Sequence, residues 1–170
     1  MTGTGLTGGA LPRYRCTVAP EWIDYNGHMS EAFYVLVFGY ATDQVMVTLG
    51  MDAEYRNTAA ASLYTVEAHV RYLAETSLGD ELEVSTVLVE SGPKKLHLAH
   101  EMRVVSAEVS ASADAQAGPP AATEELLALH VNTESGRTVV FGEAIRDIIA
   151  NYTLAPGMEP PDWVGRTVNR

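Results

Sequence analysis

Several function classes are excluded by what this sequence lacks. It has one cysteine, Cys16, so no intramolecular disulfide framework forms and a reducing compartment is expected. Lys and Arg number 11 against 22 Asp and Glu, a formal net charge of -11. Nucleic-acid binding draws on many cationic side chains, which are scarce here, and the same shortage argues against an anionic membrane surface. No apolar run approaches the roughly 20 residues needed to span a bilayer. The opening ten residues are rich in Gly and Thr and have neither a charged nor an apolar leader segment. The expected location is cytoplasmic, with no nucleic acid and no membrane as partner.

What is present suffices for one domain: 170 residues, 46% of them hydrophobic and 19% charged. The informative stretch is Trp22-Ile-Asp24-Tyr25-Asn26-Gly27-His28-Met29-Ser30-Glu31, followed by an almost uninterrupted apolar run to Gly50. Asn26 and Gly27 are turn formers, and Gly27 is expected to supply a positive φ. Ser30 suits a helix N-cap and Glu31 suits the positive dipole end. The strand propensity of Val35-Leu-Val-Phe38 is outweighed by the length of the run, its lack of a turn signal, and Gly50 as a stop. Apolar residues cover most of its circumference, which predicts a central helix buried by a curling sheet, with Gly39 allowing close backbone approach.

Strands follow. Tyr14 to Val18 is a short one before the motif; after it come Ser62 to Ala74, Glu81 to Glu90 and Lys95 to Val105, broken by Gly79-Asp80 and Ser91-Gly92-Pro93. Tyr64, Val66, Ala68, Val70 and Tyr72 alternate with Thr65, Glu67, His69 and Arg71, the period of a strand with one face on a core. A low-complexity hairpin tip is expected at 106–122, a strand at 124–132, and a short helix at 143–150. The domain is expected over 13–152, between a flexible N-terminus at 1–12 and an irregular Pro-rich tail at 153–170. This order predicts an α+β fold, with an antiparallel sheet of five to six strands wrapped around a long helix.

On Asp24-Tyr-Asn-Gly27-His28, with Tyr34 six residues on, and on Tyr72-Leu73 and Gly79-Asp80, the chain resembles the hotdog-fold acyl-CoA thioesterases of the 4-hydroxybenzoyl-CoA thioesterase type. The resemblance covers most of 13–150. The longer string from Pro20 to Glu31, with Val37-Phe-Gly39, Ala41-Thr-Asp43 and Tyr64-Thr-Val-Glu67, looks closest to the betainyl-CoA thioesterases, known alone and fused to carnitine dehydrogenase. Many relatives carry Asn-Asn where this chain has Met29-Ser30. The resemblance implies a hydrolase of a short acyl-CoA, betainyl-CoA first. It also implies a homodimer or higher oligomer with interfacial sites, and a functional link to carnitine dehydrogenase. No cofactor and no metal are implied, and His97, His100 and His130 lack a metal-ligand arrangement.

Asp24 matches the family's catalytic aspartate, as nucleophile or as the base activating water; by itself it reads equally as a turn-stabilising Asx residue. Glu31, like His28, stands beside the chemistry; His28 either orients Asp24 or bonds the carbonyl, or else braces the turn. The oxyanion is expected on backbone N–H groups at the helix start, from Met29 through Ser30 to Glu31, with Gly27 letting the substrate approach. Candidate walls for the acyl group are Trp22, Tyr25, Tyr34, Phe38 and Tyr64, with Glu67 holding a cationic group, since a trimethylammonium has no N–H to donate and is met by aromatic faces and carboxylates. Arg71, Lys94, Lys95 and Arg103 are the cations available for CoA phosphates. Two rivals remain. A hotdog hydratase would have one more residue between its Asp and His, and a CoA-binding module without turnover would keep only the fold.

Overall fold

The computed structural model describes residues 9–105 and 118–168. Nine elements follow in order: β1 (Tyr14–Thr17), a 3-10 turn (Pro20–Trp22), α1 (Glu31–Thr48), α2 (Ala53–Ala59), β2 (Ala61–Tyr72), β3 (Glu81–Ser91), β4 (Lys95–Val105), β5 (Pro120–Asn132) and α3 (Glu143–Tyr152). The five strands form one antiparallel sheet in the order β1-β3-β4-β5-β2.

The long helix forms where the sequence places it, and its end explains its length. Gly50, at φ 85°, lets Met51 N–H reach Met46 O at 2.8 Å and Gly50 N–H reach Val47 O at 3.0 Å, a Schellman stop. The strand-forming run inside it is overridden by packing: Val37, Phe38, Ala41 and Val45 are buried against the sheet. Their partners are the inward residues Leu82, Val84, Met102 and Ala122 at one end and Leu88, Leu98 and Leu126 at the other.

The sheet covers one side of α1 only. Val35, Leu36, Tyr40 and Val47 are exposed, so the expected burial around the whole circumference does not hold within one chain. Gly39 lies on that open side, and a Cβ there would meet nothing within 4 Å, so no close approach within the chain requires it.

Strict alternation fails in β2. Thr65 pairs with Ala128 and Glu67 with Leu127, leaving Val66 as a bulge. Residues before and after it change parity, so Leu63, Ala68 and Val70 share the inward face while Tyr64 and Glu67 share the outward one.

The hairpin insert expected at 106–122 falls largely outside the described residues, but β5 already begins at Pro120, and Ala121 and Ala122 are buried. Proline is tolerated at that first strand position. Most of the N-terminus expected to be flexible, 1–12, also lies outside the described residues, yet Leu11 is buried and Gly9 N–H bonds Asn151 O at 2.7 Å. The tail beyond α3 has no regular helix but is packed, with Trp163 buried and Gly165 N–H donating to Glu125 Oε2 at 2.7 Å. No single helix among the described residues is long and apolar enough to cross a membrane.

Candidate active site

The motif folds as a tight loop closed on itself. Ile23 and Met29 form an antiparallel bridge, Asp24 N–H donates to His28 O at 2.9 Å, and Gly27 N–H to Asp24 O at 3.0 Å. Gly27 takes φ 85°, as expected of the residue that turns the chain. The Asp24 carboxylate accepts from Asn26 N–H through Oδ1 at 2.7 Å, an Asx turn, while Oδ2 has only a 3.5 Å contact with Asn26 Nδ2. One oxygen is anchored and the other is available. The turn-forming and catalytic readings of Asp24 are therefore compatible in one geometry.

His28 does not reach Asp24 through its ring. Its Nε2 lies 3.3 Å from Glu75 Oε2, so its side chain braces the loop after β2 and only its carbonyl serves Asp24.

Two of the expected oxyanion donors, at Met29 and Ser30, are also occupied. Met29 N–H bonds Thr76 O and Ser30 N–H bonds Trp22 O, both at 2.9 Å, and Gly27 N–H is used in the turn. These bonds lock the loop to its neighbours and remove all three N–H groups from ligand binding. The first N–H groups of a helix have no acceptor within it, and the Ser30 side chain makes no capping bond. The available donors are those of Glu31, at the end of the expected stretch, and of Ala32 just beyond it. Phe33 N–H already turns back to Ser30 O at 3.0 Å.

Beside this helix start is a cleft of about 370 Å³ lined by Met29, Glu31, Tyr34, Tyr72, Leu73, Ala74 and Glu75. Tyr34 and Tyr72 meet edge to face, centroids 5.4 Å apart at 84°. The Tyr34 hydroxyl donates to Ala74 O at 3.1 Å and accepts from Thr76 Oγ1 at 3.2 Å; Tyr72 donates to Glu31 O at 3.4 Å. Burial raises the Tyr72 phenol pKa first, then the charges of Glu31 and Glu124 add to it.

The five expected acyl-group walls are dispersed. Trp22 stacks on Phe33, centroids 5.7 Å apart; Phe38 is fully buried against His100; Tyr25 is 96% exposed at the loop tip; Tyr64 is on the outward face of β2. Only Tyr34 lines the cleft. Glu67 borders a separate cavity of about 340 Å³ on the outer sheet face, with His97, Glu125 and Arg166. Tyr72 was visible in the sequence as part of the family-like Tyr72-Leu73 pair but not as a wall.

The four expected CoA cations do not gather either. Lys94 and Lys95 sit at the β3–β4 turn, with Lys95 on Glu90 at 2.9 Å. Arg103 is at the far end of β4, paired with Glu101 at 2.7 Å. Eight strand residues separate it from Lys95, about 27 Å. Arg71 lies on the edge strand β2. Among the described residues no group of three His, Cys, Asp or Glu could hold a metal.

The curled five-stranded sheet on one long helix is a hotdog fold, and its helix start carries the carboxylate loop. Comparison with known proteins agrees. The profile of the thioesterase-like superfamily matches residues 18–149, and the chain belongs to that superfamily, as a thioester hydrolase. A betainyl-CoA thioesterase of Pseudomonas aeruginosa is 35% identical over 159 residues, covering 93% of this chain and 94% of that protein. An L-carnitine dehydrogenase/betainyl-CoA thioesterase of Agrobacterium fabrum is 38% identical over 144 residues, but the match spans 85% of this chain and only 27% of that one. Among solved structures, a Staphylococcus aureus protein in complex with CoA superposes with a TM-score of 0.82 at 26% identity, covering 98% of both chains. A candidate thioesterase from Pseudomonas putida gives 0.71 at 32% identity, covering 98% of this chain and 99% of that one.

Proposed function

We propose that this protein hydrolyses betainyl-CoA to betaine and CoA. The observation that carries the chemistry is one juxtaposition. An Asx-anchored carboxylate with an available oxygen stands in the loop leading directly into a helix start whose Glu31 and Ala32 N–H groups are open. The thioester carbonyl would accept from those N–H groups, which also lie at the positive dipole end. Asp24 Oδ2 then either attacks the carbonyl carbon, expelling CoA thiolate and forming an anhydride that water opens, or takes a proton from the attacking water. Thiolate leaves and is protonated in either case, so no metal and no cofactor is required.

The substrate rests on the P. aeruginosa relative, matched along nearly its whole length. The relatives that join this enzyme to L-carnitine dehydrogenase support a functional link to that activity here. The single free Cys16 suits a cytoplasmic setting. A homodimer is supported by the unpaired edge strand β2 and by the exposed Val35, Leu36 and Tyr40 on the open side of α1. A second copy would also bring its own cations to the cleft, which one chain supplies poorly.

The test is thiol release from betainyl-CoA, acetyl-CoA and 4-hydroxybenzoyl-CoA. Preferred turnover of betainyl-CoA supports the proposal; turnover of another thioester alone keeps the chemistry and removes the substrate. Silence across all of them would move the protein to a CoA-binding module.

A further inference from the structure

Behind the aromatic wall of the cleft stands a carboxyl that the hydrolytic step does not use. Glu124 stands on the inward face of β5, directly opposite Val70 of β2 and His100 of β4, and is only 4% exposed. On the same face Tyr72 pairs with Ala122, which makes it the diagonal cross-strand neighbour of Glu124, within reach of an aromatic ring. Tyr72 in turn lines the cleft with Tyr34. Glu124 is therefore a buried carboxyl behind the aromatic pair.

Among the described residues nothing around it supplies a counter-charge. The titratable groups facing it are His100 from β4 and Tyr72 from β2, and α1 brings Glu31 and Tyr34 to the same phenol. His100 is committed to the neutral form. The Thr42 hydroxyl gives its one proton to Phe38 O at 3.0 Å, so it accepts from His100 Nε2 at 2.9 Å, and Nδ1 accepts from Thr86 at 2.8 Å. Glu124 is nevertheless not sealed off completely, keeping 4% of its surface exposed. Burial alone raises the Glu124 pKa to about 7. A carboxyl kept in such a position is costly without a cation and favourable with one.

We propose that Glu124 is the counter-ion for a permanently cationic acyl group, with Tyr34 and Tyr72 as its aromatic walls. The assignment rests on the thioesterase reading above and deepens it. A quaternary ammonium spreads its charge over methyl groups and offers no hydrogen-bond donor. It is therefore matched by a carboxylate without fixed partners and by ring faces, rather than by a directed hydrogen-bond network.

The experiment compares betainyl-CoA with its neutral isostere, 3,3-dimethylbutanoyl-CoA, in which carbon replaces the ammonium nitrogen. The quantity read is the ratio of their kcat/KM values within each variant, so partial loss of folded protein cancels. Wild type should prefer the cation, and Glu124→Gln should lower that ratio at least tenfold, mainly through KM. Tyr72→Leu, which keeps the carboxyl and removes a wall, should lower it as well and serves if Glu124→Gln folds poorly. Arrival of a fixed cation expels the carboxyl proton, so the wild-type KM for betainyl-CoA should rise as pH falls below about 7. The isostere should show no such rise, and Glu124→Gln should flatten the difference. An unchanged ratio in Glu124→Gln, with wild type still preferring betainyl-CoA, overturns the Glu124 assignment alone. A wild type that does not prefer betainyl-CoA overturns both the assignment and the substrate.

Discussion

At the scale of single residues, Asp24 does two jobs that one substitution separates. Asp24→Asn retains an Oδ1 acceptor for Asn26 N–H, so its melting temperature should stay near wild type while kcat falls by roughly 10²–10⁴, the usual range for a lost acid–base group. A large thermal loss with activity intact would make Asp24 a turn residue only. Glu124 and His100 set opposite pH trends. Glu124 has its pKa raised from 4.5 to about 7, so the stability linked to its proton is complete below pH 4.5 and is lost as pH rises through 7. Glu124→Gln should then be stabilised relative to wild type at pH 8 by up to about 3 kcal/mol, and by little at pH 4, as read by urea denaturation. His100 is pushed by burial from 6.5 to about 3, so its contribution is complete above pH 6.5 and is lost as pH falls toward 3. An acid-side decline between pH 6.5 and 3 that His100→Gln weakens is the expected outcome. Asp24, Gly27 and His28 were legible because a turn and a helix start adjoin in sequence. Glu124 was not, because it stands at the expected first residue of its strand, where burial leaves no pattern.

At the scale of elements, the loop conformation depends on Gly27. At φ 85° an alanine costs about 1–2 kcal/mol from the clash of Cβ with the carbonyl. A Cβ at Gly27 would meet no neighbouring atom within 4 Å, so the cost is conformational rather than steric crowding from outside the turn. Gly27→Ala should lower the melting temperature modestly and slow thiol release by misaiming Asp24; an unchanged rate would show that the loop tolerates another shape. Phe38, fully buried and stacked on the His100 ring at 5.8 Å, is the core contact to break: Phe38→Ala should cost about 3–5 kcal/mol in denaturant unfolding. Five strands and the helices α1 and α3 were readable from periodicity and turn residues. The bulge at Val66 was not, since Tyr64 through Tyr72 reads as unbroken alternation, and that hidden parity change is what sent Tyr64 to the outer face, which Glu67 shares with His69 and Arg71 as the alternation predicts. The loss of the Met29 and Ser30 donors was hidden for a related reason: which N–H groups the loop consumes depends on contacts with Thr76 and Trp22, one of them remote in sequence.

At the scale of the whole molecule, several apolar features are left open within one chain. β2 is an edge strand, its middle is exposed on both faces, and the open side of α1 presents Val35, Leu36 and Tyr40, the last against Tyr14 of the other edge strand, β1. A homodimer joined there should appear by sedimentation at micromolar concentration, and Val66→Lys should shift it toward monomer; a monomeric wild type would contradict that arrangement. The acidic balance of -11 also bears on substrate choice, since a cationic acyl group enters an attractive field, although the CoA phosphates oppose it. The preference for betainyl-CoA over its neutral isostere should therefore weaken, without vanishing, as ionic strength rises.

The most direct measurement is single-turnover thiol release from betainyl-CoA by wild type and by Asp24→Asn at matched folded concentrations. The account predicts rapid release by wild type and a loss of at least a hundredfold in Asp24→Asn with unaltered melting. Equal release by both proteins would contradict it, because the carboxylate poised at the helix start would then have no part in breaking the thioester.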